Sequence, residues 1–399
     1  MPTTDQPRDA EDLAGDLAGD LAGRHVAFFS WRDTGNPEGG GAERYLEKMA
    51  AGLVERGCRV TIFCVAYAGA APDEVVDGIR FVRRGSKLSV YLLGMWALLR
   101  RHLGRVDVVV DVQNGLPFFT PLVTRRPVIV LVHHVHREQW PVVYPGVTGR
   151  VGWWIESRLA PRLYRRRQYV AVSRATRAEL RELGVTGPRV AVVHNGSDPV
   201  VRVEAHKSPN PSVCVVGRLV PHKQVEHAID AVAALIEEFP DLRLRVVGSG
   251  WWEAELHQYA ADLVARGAVV FEGHVSEVRK QEIYEESWVM ALPSLKEGWG
   301  LVVGEAAAHG TPTVAYASAG GTRESIVDGV SGILVNTPAE LVAALGALLR
   351  DDQGRRVLAE GARRHSAGFT WAHSQSAFAH VVSAALRGEL VSDQDATED

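Results

Sequence analysis

The sequence predicts two successive α/β domains, each built around an open parallel sheet. Three observations carry this. Short apolar runs alternate with amphipathic helical stretches along most of the chain. The alternation breaks once, around residues 195–212, into Asn-Gly-Ser-Asp-Pro and then Lys-Ser-Pro-Asn-Pro-Ser, which is linker chemistry. At 399 residues the chain is long enough to bury two cores.

Taken in order, residues 1–23 form an acidic tail in which Asp-Leu-Ala-Gly repeats over 12–23. The repeat is too small to build a core and is expected to be disordered. The first domain spans 24–200. It opens with the strand His25–Phe29, a glycine-rich turn at 35–41, and a helix whose apolar positions Ala42, Tyr45, Leu46, Met49, Ala50, Leu53 and Val54 hold helical spacing. Gly57 ends that helix, and Val60–Val65 is the next strand, which makes a βαβ unit. Ile79–Val82, Val106–Val110, Val128–Val132, Tyr169–Val172 and Val190–Val193 are further strands.

The second domain spans 205–369. Its predicted strands are Val213–Val216, Leu242–Val247, Val269–Phe271, Val289–Leu292, Thr313–Tyr316 and Ile333–Val335, with a helix over Val225–Phe239. Thr337-Pro338-Ala339-Glu340 has the form of a capping box with proline at the first helical position. Two more helices follow, near 352–365 and 371–386. The last of them, within 370–388, is expected to cross back to the first domain, and 389–399 form a second acidic tail. In sheets of this kind ligands bind at the carboxyl ends of the strands, so two such edges facing one another would enclose a cleft.

Charge and composition narrow the function. Each tail carries −5, so the net −4 conceals a body of +6. That suits an anionic small molecule and is too weak to argue for nucleic acid, for which no base-reading motif is present. Cys58, Cys64 and Cys214 have no paired or metal-ligand spacing and read as buried thiols of a reducing compartment. No apolar run is long enough for a membrane span and no signal-peptide pattern opens the chain, so a cytoplasmic location is expected. Scarce lysine beside abundant arginine, alanine and glycine suggests a GC-rich bacterial genome.

The stretch from Pro293 to Pro312 reads as strand exit, glycine-bracketed turn, small-residue helix and stop. Glu297 lies in the turn and Glu305 inside the helix, about five residues or ~7 Å along its axis. A helix N-terminus attracts phosphate. An acid one to two turns further in would meet a group joined to that phosphate, such as a ribose diol. The pattern reads as a seat for a nucleotide sugar.

With Gly39-Gly40-Gly41-Ala42-Glu43, Asn195-Gly196 with Asp198, and Val216-Gly217-Arg218-Leu219 with Lys223, this stretch makes four motifs in register. Together they resemble the family-4 glycosyltransferases of the GT-B fold, over residues 24–386. The resemblance implies two Rossmann-like domains facing across a cleft and a metal-independent, retaining sugar transfer. It places Gly40 and Gly41 near the sugar phosphate, Arg218 and Lys223 on the diphosphate, Glu297 on the transferred sugar and Glu305 on the ribose. Backbone N–H groups near Gly300 and Leu301 would hold phosphate, Gly298 and Trp299 join them as donor-binding residues, and Val275, beside Gly273 and His274, borders the base. His133, with His134 as the fallback, would touch the donor sugar, so that Glu297, Lys223, Arg218 and His133 form the catalytic set. Glu43 reads as a helix-capping acid. Two departures stand out: Gln224 replaces the family's glycine after the lysine, and Trp299 stands where phenylalanine is commoner.

His134, His136, Arg137, Glu138 and Trp140 remain as acceptor-side candidates. Their spacing is not a zinc pattern, and with no Asp-x-Asp pair at a strand end a divalent ion is not implied. The basic stretch at 150–167, with Trp153 and Trp154, suggests peripheral membrane contact, but Pro161 interrupts it and an ordinary solvated arginine face is favoured. The expected substrates are a nucleotide-sugar donor, a UDP-sugar before GDP-, ADP- or dTDP-sugars, and a hydroxyl-bearing acceptor, with no separate cofactor. A sugar-nucleotide 2-epimerase of the same fold and a non-catalytic nucleotide-sugar-binding subunit are the alternatives.

Overall fold

The structure, a computed structural model, describes residues 19–198 and 203–392. The first sheet contains β1 (His25–Phe29), β2 (Arg59–Cys64), β3 (Asp73–Val76), β4 (Ile79–Arg83), β5 (Val108–Gln113), β6 (Val128–Val132), β7 (Gln168–Ala171) and β8 (Val190–Val192). Their order is β3-β4-β2-β1-β5-β6-β7-β8. Every pairing is parallel except β3 with β4.

Alternate residues of β1 serve opposite faces, and both faces are buried, as a doubly covered parallel sheet requires. Val26 and Phe28 pack with Tyr45, Leu46 and Met49 of α1 (Gly41–Glu55). Ala27 and Phe29 pack with Val90, Ala97 and Leu98 of α2 (Ser89–Leu99), and in the same cluster lie Ala160 and Tyr164 from the helical segment that follows α3 (Val147–Trp154). α4 (Arg174–Glu182) connects β7 to β8.

The second sheet contains β9 (Ser212–Val216), β10 (Arg243–Val247), β11 (Val269–Gly273), β12 (Val289–Leu292), β13 (Thr313–Tyr316) and β14 (Gly332–Val335), in the order β11-β10-β9-β12-β13-β14, all parallel. Its helices include α5 (Val225–Leu235), α6 (Glu277–Glu286), α7 (Leu301–Ala308), α8 (Pro338–Arg350) and α9 (Asp352–Ser366). Thr337 caps α8, its hydroxyl accepting from Glu340 N at 3.2 Å. The strand order reverses between β9 and β12, the kind of switch point at which such sheets bind ligands. Arg218 and Lys223 leave β9, and the Glu297 turn leaves β12, so the two motifs flank that point. α10 (Trp371–Arg387) returns to the first domain, where Phe378 lies 6.0 Å from Phe28, ring to ring.

Two expectations need correcting. The expected disordered tail over 1–23 is structured from residue 19: Leu21 is fully buried in the first core, and Asp20 pairs with Arg387 at 2.6 Å. Residues 1–18 lie outside the described residues. The second tail likewise begins later than 389, because Val391 is buried and its N–H donates to Gln168 Oε1 at 2.8 Å; residues 393–399 are outside the described residues. In both places one aliphatic side chain finds a gap beside α10, which outweighs the acidic composition around it.

Candidate active site

The two domains meet through named contacts at the carboxyl edges of both sheets. Gly40 is the extended residue before α1, and its N–H donates to Glu43 Oε2 at 2.8 Å. Glu43 is buried, with Arg32 Nε 3.5 Å away, so it serves the turn as expected. A Cβ at Gly40 would lie 3.3 Å from Arg218 Nε, and one at Gly41 would lie 3.1 Å from Leu301 Cδ1. The glycine turn of the first domain therefore faces both the cation after β9 and the start of α7. A side chain at either glycine would press on these neighbours, which would have to give by a few tenths of an ångström.

On the second domain, Lys223 Nζ is 2.5 Å from Glu297 Oε1, joining the two motifs across the switch point. Gly300, at φ +89°, precedes α7, which has no side-chain cap at its N-terminus. Val303 N donates to Gly300 O at 2.9 Å, which leaves the N–H groups of Leu301 and Val302 to meet an anion. Glu305 accepts from Tyr284 Oη at 2.9 Å, with Lys280 Nζ at 3.1 Å and Arg44 NH1 at 3.3 Å. Arg44 comes from α1, so Glu305 is engaged by the opposite domain.

Arg44 continues to Asp198 at 2.6 Å, and Lys48 reaches the other Asp198 oxygen at 2.6 Å. Burial works against the charged form of Asp198, but the Lys48 hydrogen bond and the charges of Arg44 and Lys48 outweigh it and hold this carboxyl below its usual range. Asn195-Gly196-Ser197-Asp198 thus forms the hinge: Ser197 N donates to Phe369 O at 2.9 Å, and a Cβ at Gly304 of α7 would strike Ser197 Oγ.

His133 is buried at the exit of β6, edge-on to Tyr45 with ring centroids 5.4 Å apart, and its Nε2 has no partner within the protein. Burial, with the charge of His136 adding to it, pulls its pKa down to about 3, so the ring is neutral at ordinary pH. A Cβ at Gly298 would collide with the His133 carbonyl, so the donor-side turn passes directly over this residue. His134 Nε2 donates to Gln139 Oε1 at 3.0 Å, and its ring lies tilted against His136, 4.2 Å between centroids.

The remaining expected site residues divide. His136 Nδ1 and Trp140 Nε1 both meet Glu156, at 3.0 and 2.6 Å. Arg137 is exposed and pairs with Glu182 at 3.0 Å, on the outside of α4, so it does not join them. Glu138 is half-buried and its Oε2 is unpartnered. Val275 packs beside Val216 and Val247 at the edge expected for the base. Trp299 is corrected: its indole is buried against His194 and Phe369, at 4.9 and 4.8 Å, on the hinge side. Only its backbone is left for a phosphate. Gln224 takes φ +48°, so the turn after Lys223 keeps a left-handed residue without the glycine.

Several participants were not foreseen. Glu156, wholly buried in a π-helical turn, orients His136 and Trp140; as the lone acid of the arginine stretch 150–167 it was visible in principle. Glu324 caps α4 across the interface, accepting from Arg174 N and Ala175 N at 2.9 and 2.8 Å and meeting His194 Nε2 at 3.1 Å. Lys296 crosses in the same direction to Glu179. His222, beside Lys223, is half-buried with an unpartnered Nδ1, its pKa pulled down to about 3 by desolvation and then by the charges of Lys223 and Arg218. No local pattern marks these three. Among the described residues, no three of His, Cys, Asp and Glu converge into a metal-sized group.

Two parallel-sheet domains that meet at the carboxyl edges of their strands, with glycine turns at the meeting, are the arrangement of the GT-B glycosyltransferases. Sequence comparison agrees. The description "Glycosyltransferase Family 4" matches residues 39–200, and "Glycosyl transferases group 1" matches 199–365. A D-inositol 3-phosphate glycosyltransferase of Xylanimonas cellulosilytica is 30% identical, over 88% of this chain and 94% of its own. Among solved structures, sucrose-phosphate synthase from Thermosynechococcus elongatus superposes with a TM-score of 0.72 at 18% identity, covering 92% of this chain and 98% of its own. Anabaena HepE in complex with UDP-glucose gives 0.68 at 21%, covering 90% and 99%. The chain belongs to glycosyltransferase family 4.

Proposed function

We propose that this glycosyltransferase takes a sugar from a nucleotide diphosphate, in first place a UDP-sugar, and delivers it with retention to a hydroxyl acceptor. The observation that carries the reading is the pairing of Lys223 with Glu297 at the switch point, beside Arg218 and opposite Gly40. Departure of the nucleotide leaves negative charge on the diphosphate. Arg218, Lys223 and the free N–H groups at the start of α7 are the groups that would stabilise it. Glu305 holds the ribose hydroxyls and Glu297 those of the sugar. The neutral, unpartnered Nε2 of His133 offers the sugar a hydrogen bond without a competing charge.

The bond from the anomeric carbon to the phosphate oxygen breaks while a bond to the acceptor oxygen forms on the same face. The acceptor proton passes to the departing phosphate oxygen, so no side chain is assigned as general base. The complex of Anabaena HepE with UDP-glucose, a protein of the same fold, supports uridine as the base. A thermal-shift series across UDP-, GDP-, ADP- and dTDP-sugars tests the donor, because a ligand stabilises the native state in proportion to occupancy. The largest shift is expected with a UDP-sugar. NMR of that donor incubated alone should show no epimer; an epimer formed without acceptor would assign the isomerase instead.

A further inference from the structure

The outward side of the first domain carries a surface that the cleft chemistry does not use. α2 is apolar all round. Val90, Gly94, Ala97 and Leu98 are buried against the sheet, while Leu92, Trp96 and Leu99 stand 67%, 49% and 58% exposed. A helix apolar on every side is ordinarily covered on every side. In the same layer Leu122 and Trp154 are 65% and 55% exposed. Scattered surface apolars need no explanation, but a run of large ones over one layer does.

The charge around this layer is one-sided. Residues 87–167 hold thirteen lysines and arginines against four acids, a net +9 inside a chain of net −4. None of the four acids is exposed: Asp111 and Glu156 are fully buried, and Asp107 and Glu138 are half-buried. The topology then gathers the cations. The chain leaving α2 brings Arg100, Arg101 and Arg105 to the amino end of β5. Arg125 and Arg126 stand just ahead of β6. Arg165 to Arg167 stand just ahead of β7, and β5, β6 and β7 are neighbours. Three arginine clusters therefore line one sheet edge, close in sequence to Trp96, Leu99 and Leu122, and residues 87–167 hold no exposed acid; the exposed acid at this edge is Glu389, two residues before Val391, which meets Gln168.

We propose that this face docks on an anionic phospholipid bilayer. Exposed tryptophan and leucine flanked by arginine is the chemistry of interfacial binding, apolar side chains entering the headgroup boundary while guanidinium groups meet lipid phosphates. A second copy of the chain is a poor occupant, since a two-fold contact would set the same basic edge against itself. The arginine stretch at 150–167 alone reads as a solvated face; its position beside the uncovered side of α2 is what changes the reading.

The test is co-sedimentation of the full chain with vesicles of phosphatidylcholine plus phosphatidylglycerol, against phosphatidylcholine alone. Binding is expected only to the mixed vesicles and should weaken with salt. Each arginine at the surface contributes about fivefold to partitioning, the equivalent of ~1 kcal/mol, so Arg100→Gln with Arg101→Gln should lower it about 25-fold. Trp96→Ser with Leu99→Ser should lower it at least about tenfold. An unchanged donor-induced thermal shift would show these variants folded. Absence of binding to the mixed vesicles, or undiminished binding by both variants, overturns the proposal. A dimer in solution that Trp96→Ser dissociates would also overturn it, in favour of a second copy.

Discussion

The two walls of the cleft solve the same problem with opposite chemistry. The wall of the second domain is made of charges that answer one another: Lys223 with Glu297, and Lys280 with Glu305. The wall of the first domain is made of buried neutral groups, His133 and His134, with Glu156 held out of sight behind His136 and Trp140. A diphosphate needs the first kind of wall, because its charge grows as it leaves. A neutral sugar and a neutral hydroxyl need the second, where unpaired polar atoms give discrimination through hydrogen bonds. On the proposed function, donor affinity and acceptor choice belong to different walls, and substitutions should separate them.

The largest effect is expected at Lys223. Its replacement by alanine should reduce turnover about 10²- to 10³-fold, the scale set by loss of one group that stabilises developing charge, in a protein that still melts cooperatively. Glu305→Gln should raise the donor KM by about tenfold to a hundredfold, the range for a hydrogen bond involving a charged group, with the acceptor KM unchanged.

The neutral wall is exposed by pH. The folded pKa of His133 is depressed to about 3, below its ordinary value, so the unfolded chain binds the extra proton first. The stability His133 contributes is complete above about pH 6.5 and is lost as pH falls from there toward 3. Urea titrations at pH 7 and pH 5 should differ by about 2 kcal/mol from this residue, a difference that His133→Asn removes. Glu156→Gln should then raise the acceptor KM by about tenfold and leave the donor KM alone, since it touches only the far wall. The smallest effect is at Gln224, whose left-handed backbone should make Gln224→Gly stabilising by about 0.5 kcal/mol in thermal unfolding.

How much of this was legible in the sequence follows from range. The strands that carry the site are short, apolar and buried on both faces, so their composition announces them; β5 runs three residues beyond its predicted end only because Asp111 and Gln113 are buried polar residues. β3 was not foreseen, because an exposed antiparallel edge of Asp73-Glu74-Val75-Val76 carries no burial pattern. Gly40, Gly41, Lys223, Glu297 and Glu305 were expected from turns and helix starts, which are local, together with the family resemblance. Trp299 was expected among the donor-binding residues, and the pocket of His194 and Phe369 that buries its indole is built from residues distant in sequence. Arg44, Lys296 and Glu324 act across the domain interface, and no spacing within the chain marks them.

The account rests most directly on donor affinity belonging to the charged wall. Calorimetric titration of a UDP-sugar into folded Lys223→Ala and Glu156→Gln proteins tests it. The account predicts affinity weakened at least about tenfold, the scale of a charge-assisted hydrogen bond, in Lys223→Ala and native affinity in Glu156→Gln. Native affinity and turnover in Lys223→Ala would contradict it.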